Sequence, residues 1–371
     1  MNKIYYIISF FALQLNAQNI TFSDANFLEY LLRADYNSNI NNKQAKDLNG
    51  NYTTIDVNYD GQISISEAEN ISELVFYTQY TYPKINSIEG VSYFKNLKKL
   101  QVSYSNLTNV DVSSLSLLES LSLANNQITI LNINNLVKLK HLDVGNNQLS
   151  GTINTNHLLN LETFACTSNQ LTSLDLSNNI NLSTVSTSFN KLVSLKIEFM
   201  PKLRFLYCNN NLLSTLDLSK NGSLYFGLYC DNNQLTYLNI QDIANNTGNS
   251  YFSGTNNPNL ATVCVNSGEV NWYSSYFSSV GINNVNVSVC PLGISEVDSQ
   301  NKISFQNPIQ NELIISTKEE IKLVELYSLE GRLVKTSRTK NINAIDLKSG
   351  VYIMKISLKN GNIITEKIIK K

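Results

Sequence analysis

The stretch Asp56-Val57-Asn58-Tyr59-Asp60-Gly61-Gln62-Ile63-Ser64-Ile65-Ser66-Glu67 places side-chain oxygens at its first, third, fifth, ninth and twelfth positions. Gly61 at the sixth position permits a sharp turn, and Gln62 offers a backbone carbonyl at the seventh. A hard divalent cation asks for about six to eight oxygens at roughly 2.3–2.6 Å, and a loop with this spacing gathers them round one centre. Asp56, Asn58, Asp60, Gln62, Ser64 and Glu67 are therefore candidate ligands of one calcium ion, with Glu67 bidentate. One loop without a paired second points to a structural ion that stiffens its surroundings outside the cell. The competing readings are a turn that is merely acidic and a loop that has lost its ion.

Catalytic patterns are sparse. His141 and His157 are the two histidines, and neither belongs to a His-Glu-x-x-His zinc pattern. There is no Gly-x-Ser-x-Gly elbow and no phosphate-binding glycine loop. Ser120, His141 and Asp143 are the one set with hydrolase chemistry, and without an evident oxyanion hole or water-excluding cleft they read as polar surface. The chain is expected not to be an enzyme.

The elements that carry these residues repeat. A Leu-x-x-Leu-x-Leu-x-x-Asn-x-Leu pattern, with other apolar residues, Cys or Thr187 replacing Leu, occupies Leu118–Ile128, Leu139–Leu149, Leu161–Leu171, Leu182–Leu192 and Leu203–Leu213. A slipped copy ends at Leu235 and a degenerate first copy spans Leu97–Leu107. The ninth position falls on Ser105, Asn126, Asn147, Asn169, Asn190, Asn211 and Asn233, in steps of 21 or 22 residues. The chain thus resembles the leucine-rich repeat family over about 140 residues. Side chains alternate along a strand, so apolar residues at positions 4 and 6 share one buried side. A unit this short cannot bury that side alone, and stacked units share one core beneath a parallel sheet. The expected fold is an α/β solenoid with a mostly extended or turn-like convex side and little helix. Asn at position 9 turns inward to bond backbone groups that would otherwise be buried unpaired.

Solenoid ends need caps. Residues 18–95 read as a non-repetitive N-terminal cap holding the calcium loop (56–67), with a helix over Asp24–Arg33 capped by Ser23 or Asp24. The loop resembles an EF-hand loop. Residues 96–290 read as repeats plus a C-terminal cap, with Leu260–Val265 as one last strand before an irregular stretch to Cys290. Cys166, Cys208 and Cys230 fall at the inward position 6 and read as free, buried thiols. Cys264 reads as position 5, facing away from the core, where an exported protein can pair it with Cys290.

Met1–Ala17 has the form of a secretory signal: Lys3, then an apolar run, then a small residue at the end. The alternative is a buried first strand or helix. With 28 Lys+Arg against 29 Asp+Glu, the chain lacks the basic footprint of a nucleic-acid binder. After Cys290, residues 291–371 break into short strands separated by turn signals such as Glu330-Gly331, Ser349-Gly350 and Asn360-Gly361. They fit an all-β sandwich. The order Phe305-Gln306-Asn307-Pro308, Asn311-Glu312-Leu313, Leu329-Glu330-Gly331-Arg332-Leu333-Val334, Ser349-Gly350-Val351-Tyr352 and a Lys-rich terminal strand resembles the C-terminal sorting domain of type IX secretion cargo. That resemblance implies passage through the periplasm, contact with the type IX machinery, and release or attachment at the outer-membrane surface. The alternative is an ordinary accessory sandwich.

On the outward side of the repeats, charged residues run from Lys98 to Glu162, and aromatic residues follow. Phe205, Tyr207, Phe226 and Tyr229 form a candidate binding patch for a protein or a sugar, unless the C-terminal cap or the insertion Ile240–Asn256 covers them. The expected function is an exported, non-catalytic recognition or adhesion protein, with glycan capture for nutrient uptake as the alternative.

Overall fold

The computed structural model describes residues 18–34, 44–78, 83–197, 199–224, 226–241, 243, 252–290, 304–305, 308–317, 319–328, 332–359 and 363–371. The proposed signal segment 1–17 and residues 291–303 after Cys290 lie outside them. The chain divides into two compact units, Met1–Cys290 and Pro291–Lys371.

The first unit opens with α1 (Ala25–Leu32). Asp24 caps it, accepting from the N–H groups of Asn26 and Phe27 at 2.7 and 3.1 Å. The other carboxylate oxygen of Asp24 accepts from the N–H groups of Asn86 and Ser87, tying the helix to a segment sixty residues away. β1 (Ala45–Asp47), α2 (Ile65–Glu69) and β2 (Ile71–Tyr77) follow.

A sheet of ten strands runs through the unit. Beyond β1 and β2 it contains β3 (Lys99–Ser103), β5 (Ser120–Ser122), β7 (His141–Asp143), β9 (Thr163–Ala165), β12 (Thr184–Ser186), β14 (Phe205–Tyr207), β16 (Gly227–Tyr229) and β18 (Phe252–Ser253). Every pair is parallel except β1 with β2, whose antiparallel strand closes the edge of the sheet. The returning halves of the coils form smaller parallel sheets. These are β4 (Asn109–Asp111) with β6 (Ile130–Asn132), β8 (Ser150–Gly151) with β10 (Gln170–Leu171), and β11 (Ser173–Asp175) with β13 (Ser194–Lys196). The last is β15 (Thr215–Asp217), β17 (Tyr237–Asn239), β19 (Thr262–Cys264) and β20 (Asn286–Ser288). Between the sheets lies one continuous core from Ile20 to Phe277, built on Leu118, Leu121 and Leu123 and their equivalents in each coil. This is a leucine-rich repeat solenoid with little helix.

Four features differ from expectation. The N-terminal cap is not wholly non-repetitive: β2 pairs in parallel with β3, and Leu74 and Phe76 stand beside Leu100 and Val102 as positions 4 and 6 of an earlier coil. A long connection to the next coil hides it from a 21-residue search. At the far end, Phe252 aligns with Leu228, so the last part of the supposed insertion supplies a strand of the long sheet. The strand around Val263 belongs to the opposite sheet and not to the long one; Val263 and Val265 point into the core, so Cys264 between them faces away from it, as expected, and is nevertheless buried. The stretch before Cys290 is not irregular throughout, for it holds α3 (Val270–Ser279). Tyr273 and Phe277 of α3 meet the Phe252 ring edge-on, with centroids 5.2 and 6.0 Å away, and close the core.

The second unit pairs a sheet of β21 (Ser304–Phe305), β22 (Glu312–Ser316) and β25 (Asn341–Asn343) with another of β23 (Ile321–Ser328), β24 (Leu333–Ser337), β26 (Gly350–Leu358) and β27 (Ile363–Lys370). Neighbouring strands are antiparallel throughout. Leu313 and Ile315 from the first sheet share one core with Val324, Leu326, Met354 and Ile356 from the second, which makes the unit a β-sandwich.

Candidate functional site

Two ladders, one of side-chain amides and one of left-handed backbone, run along the coils. At position 9, Asn147 donates to the carbonyls of Leu123 and Val144, both at 3.0 Å, and accepts from the N–H of Ile128 at 2.9 Å. Asn126, Asn169, Asn190, Asn211 and Asn233 repeat this bridge between a coil and its predecessor. Asn257 extends the ladder by one coil that the repeat pattern did not assign. The second ladder stands one residue earlier. Tyr104, Asn125, Asn146, Ser168, Phe189, Asn210, Asn232 and Asn256 all have φ between 53° and 62°. Asn tolerates that left-handed region better than most residues, which explains its doubling in the repeat. Two further amides, Asn179 and Asn221, are fully buried in a column that elsewhere holds Leu136, Leu158 and Met200. Each is satisfied by backbone carbonyls of the preceding coil.

The thiols of Cys166, Cys208 and Cys230 are free and buried. Burial pushes all three up, that of Cys208 to about 12, so they behave as small apolar groups. Cys264 and Cys290 form a disulfide with Cα atoms 5.2 Å apart, closing the segment that contains α3 and β20.

In the calcium-like loop, Asp56 accepts from the N–H groups of Asp60 and Gly61, at 3.2 and 2.9 Å. Asn58 accepts from Asp60 at 3.1 Å, and Asp60 from Gln62 at 2.8 Å. Glu67 reaches back from α2 to the N–H groups of Val57 and Ser64, at 2.9 and 2.8 Å, so both ends of the loop are tied together. Ser64 caps α2 in a capping box with Glu67. Gly61 has φ 77°, the left-handed turn that favours glycine. Asp56 and Glu67 are buried, and among the described residues neither has a cationic partner. No three His, Cys, Asp or Glu side chains converge as a metal cluster among the described residues. The remaining donors of the loop are an amide, a hydroxyl and a backbone carbonyl.

Ser120, His141 and Asp143 do not form a relay. His141 Nδ1 lies 2.9 Å from Thr163 Oγ1, while Asp143 accepts from the N–H of Gly145 at 3.0 Å. Lys140 bonds Glu119 at 2.7 Å, which draws the Glu119 carboxyl below and the Lys140 ammonium above their ordinary values.

The aromatic patch is assembled by register. Tyr207 pairs with Tyr229 across β14 and β16, and Phe205 pairs with Gly227. The Tyr207 and Tyr229 rings lie 8° from parallel with centroids 5.0 Å apart, and Phe205 and Phe226 lie 18° apart at 5.4 Å. Gly227 leaves the room they need: a Cβ there would stand 3.2 Å from both Phe205 and Tyr229. The Arg204 guanidinium lies 5.9 Å from the Phe226 centroid. Phe226 is exposed, and Phe205, Tyr207 and Tyr229 are partly exposed. The aromatic residues of α3 meet Phe252 and one another. Residues 242 and 244–251 of the segment proposed to cover the patch lie outside the described residues.

Residues 305–371 match the family described as the secretion system C-terminal sorting domain. No curated protein matches the chain. Among solved structures the chain is similar to the functional domain of InlJ from Listeria monocytogenes, described as including a cysteine ladder, at 16% identity and a TM-score of 0.42. That likeness covers 96% of this chain and 100% of the other. Internalin C2 from Listeria monocytogenes is similar at 21% identity over 66% of this chain and 94% of its own, with a TM-score of 0.40. YopM from Yersinia enterocolitica is similar at 19% identity over 52% and 42%, with a TM-score of 0.39. The repeat assignment rests on the coil geometry and not on these likenesses. No helix among the described residues is long and apolar enough to cross a membrane.

Proposed function

We propose that this chain is type IX secretion cargo, displayed on the outer-membrane surface or released, whose solenoid binds a protein partner in recognition or adhesion and carries out no catalysis. The match of residues 305–371 to a secretion sorting domain supports export. The observation that carries the binding role is the ring stack on the open face of the long sheet. Four aromatic residues on two neighbouring coils offer large, stiff contact area at low entropy cost. Full-length chain applied to immobilised cell-surface proteins tests this reading. Binding is expected to fall at least tenfold in Tyr207→Ala and Tyr229→Ala at an unchanged denaturation midpoint. Undiminished binding in both would move the interface off the aromatic patch.

A second reading, glycan capture, has its own support. The strands beside the rings carry Thr163, Thr184 and Ser186, hydroxyls suited to a sugar. Calcium in the 56–67 loop is also proposed, as a structural ion. Asp56, Asn58, Asp60, Glu67, the Ser64 hydroxyl and the Gln62 carbonyl would hold it, and it would neutralise two buried carboxylates that lack a cation. The loop fits the ion in donor type and turn.

A further inference from the structure

Phe189 is 54% exposed, yet its backbone sits at φ 57°. A bulky residue adopts that conformation only at a cost, and an exposed ring returns little stability to the free protein. Tyr104, the other aromatic residue in this column, packs against Tyr77 with centroids 4.7 Å apart. Phe189 stands at the exit end of β12, and the surface next to it has the form of a slot.

The floor of the slot is β9 and β12, which present Thr163, Ala165, Thr184 and Ser186. Its walls are His141 and Asp143 on β7 and Phe205 and Tyr207 on β14. Three strand spacings separate these walls, about 14 Å. Tyr229 lies nearly parallel to Tyr207, closer than two rings side by side in one plane can come, so it overlaps one face of Tyr207. Phe226 overlaps Phe205 in the same way. The remaining faces of Phe205 and Tyr207 look along the sheet over Thr184 and Ser186.

At the entry end of these strands lies a groove of about 610 Å³ lined by Lys140, Glu162, Asn181, Ser183, Lys202 and Arg204, among others, the residues that directly precede β9, β12 and β14 included. Three cations face one carboxylate there. Lys140 is paired with Glu119. Lys202 bonds only the neutral Asn181 amide, at 2.7 Å, and Arg204 makes no ion pair among the described residues, so both keep their charge for a ligand. A floor of hydroxyls beside two exposed ring faces suits a sugar ring, which offers both hydroxyls and an apolar face.

We infer that the slot between β7 and β14 takes an acidic polysaccharide, with a uronic acid ring against Phe205 and Tyr207 and its carboxylate toward Lys202 and Arg204. Thr184, Ser186 and Glu162 meet ring hydroxyls, and Phe189 covers the next residue of the chain. This inference rests on the glycan reading of the same face and gives that reading a charge.

Titration of the full-length chain with polygalacturonate, a neutral glucan and polyglutamate tests it. Polygalacturonate is expected to bind at least tenfold tighter than either of the others. Lys202→Gln/Arg204→Gln is expected to remove most of that preference, and Phe205→Ala and Phe189→Ala to weaken binding at least fivefold. Ser186→Tyr, which fills the slot and removes no ring, is expected to produce the same loss should a ring deletion disturb the fold. Equal binding of polyglutamate would reduce the effect to net charge and overturn the inference. Equal binding of the neutral glucan, insensitive to Lys202 and Arg204, would overturn the acidic assignment and leave glycan capture standing. No binding to any polysaccharide, with Tyr207-dependent capture of a surface protein, would overturn the inference and leave the protein reading.

Discussion

Asn169 donates to the carbonyls of Val144 and Cys166, both at 3.0 Å, and accepts from the N–H of Leu149 at 2.9 Å. Replacing it with Ala leaves the buried Leu149 N–H without its partner and takes one of two amide donors from each of the Val144 and Cys166 carbonyls, which keep Asn147 and Asn190, and a loss of about 1–3 kcal/mol is expected in urea titrations. Asn146, next to the equivalent residue of the preceding coil, is exposed, and on exposure alone its replacement should cost almost nothing. Its φ of 54° changes that expectation. Asn146→Ala is expected to cost about 1 kcal/mol, because Cβ crowds the backbone in the left-handed region, while Asn146→Gly is expected to be close to neutral. Equal midpoints for the Ala and Gly variants would show that backbone strain plays no part. The position-9 ladder was legible because a side chain that must turn inward at fixed spacing leaves a residue type in the sequence. The position-8 ladder was not, because Tyr104, Ser168 and Phe189 share its backbone angle without sharing a residue type.

At the scale of elements, the N-terminal cap is held by two carboxylate junctions. Burial raises the Asp24 carboxyl, but the N–H groups of Asn86, Phe27, Ser87 and Asn26 together bring it below its ordinary value. A group whose value falls on folding adds stability above its unfolded value, about 3.9, and loses that share as pH drops through the folded one. Wild-type stability is therefore expected to fall more steeply below about pH 4 than that of Asp24→Asn, which starts lower at pH 7; parallel pH profiles from denaturant melts would contradict the junction. In the neighbouring loop, millimolar calcium is expected to raise the melting temperature, since an ion bound only by the native state stabilises it by mass action. The increment is expected to vanish in Asp60→Ala, whose carboxylate lies on the open side of the loop. An identical melt with calcium and with chelator would remove the ion from the account. The coils, α1 and most strands of the sandwich were legible, because period and capping are local. The coil at Ile71–Tyr77 and the one ending at Asn257 were missed because long connections break the 21-residue step, and α3 because its aromatic residues give only a weak helical stripe.

For the whole molecule, the solenoid has its own core and its own closures: β1 at one end, and α3 with the Cys264–Cys290 disulfide at the other. The sandwich has a separate core. The proposed recognition and export roles thus fall to different units, and the aromatic slot could be read only in outline from sequence, since its floor of small residues becomes a feature only when neighbouring coils are set side by side. The separation can be tested directly by ending the chain after Leu292 and following it by cell fractionation and protease shaving of intact cells. The truncated solenoid is expected to fold, with a melting transition in its own right, and to remain in the periplasm while the full chain reaches the surface. Surface exposure of the truncated chain at normal levels would contradict the account, and residues 305–371 would then be an accessory domain and not the export address.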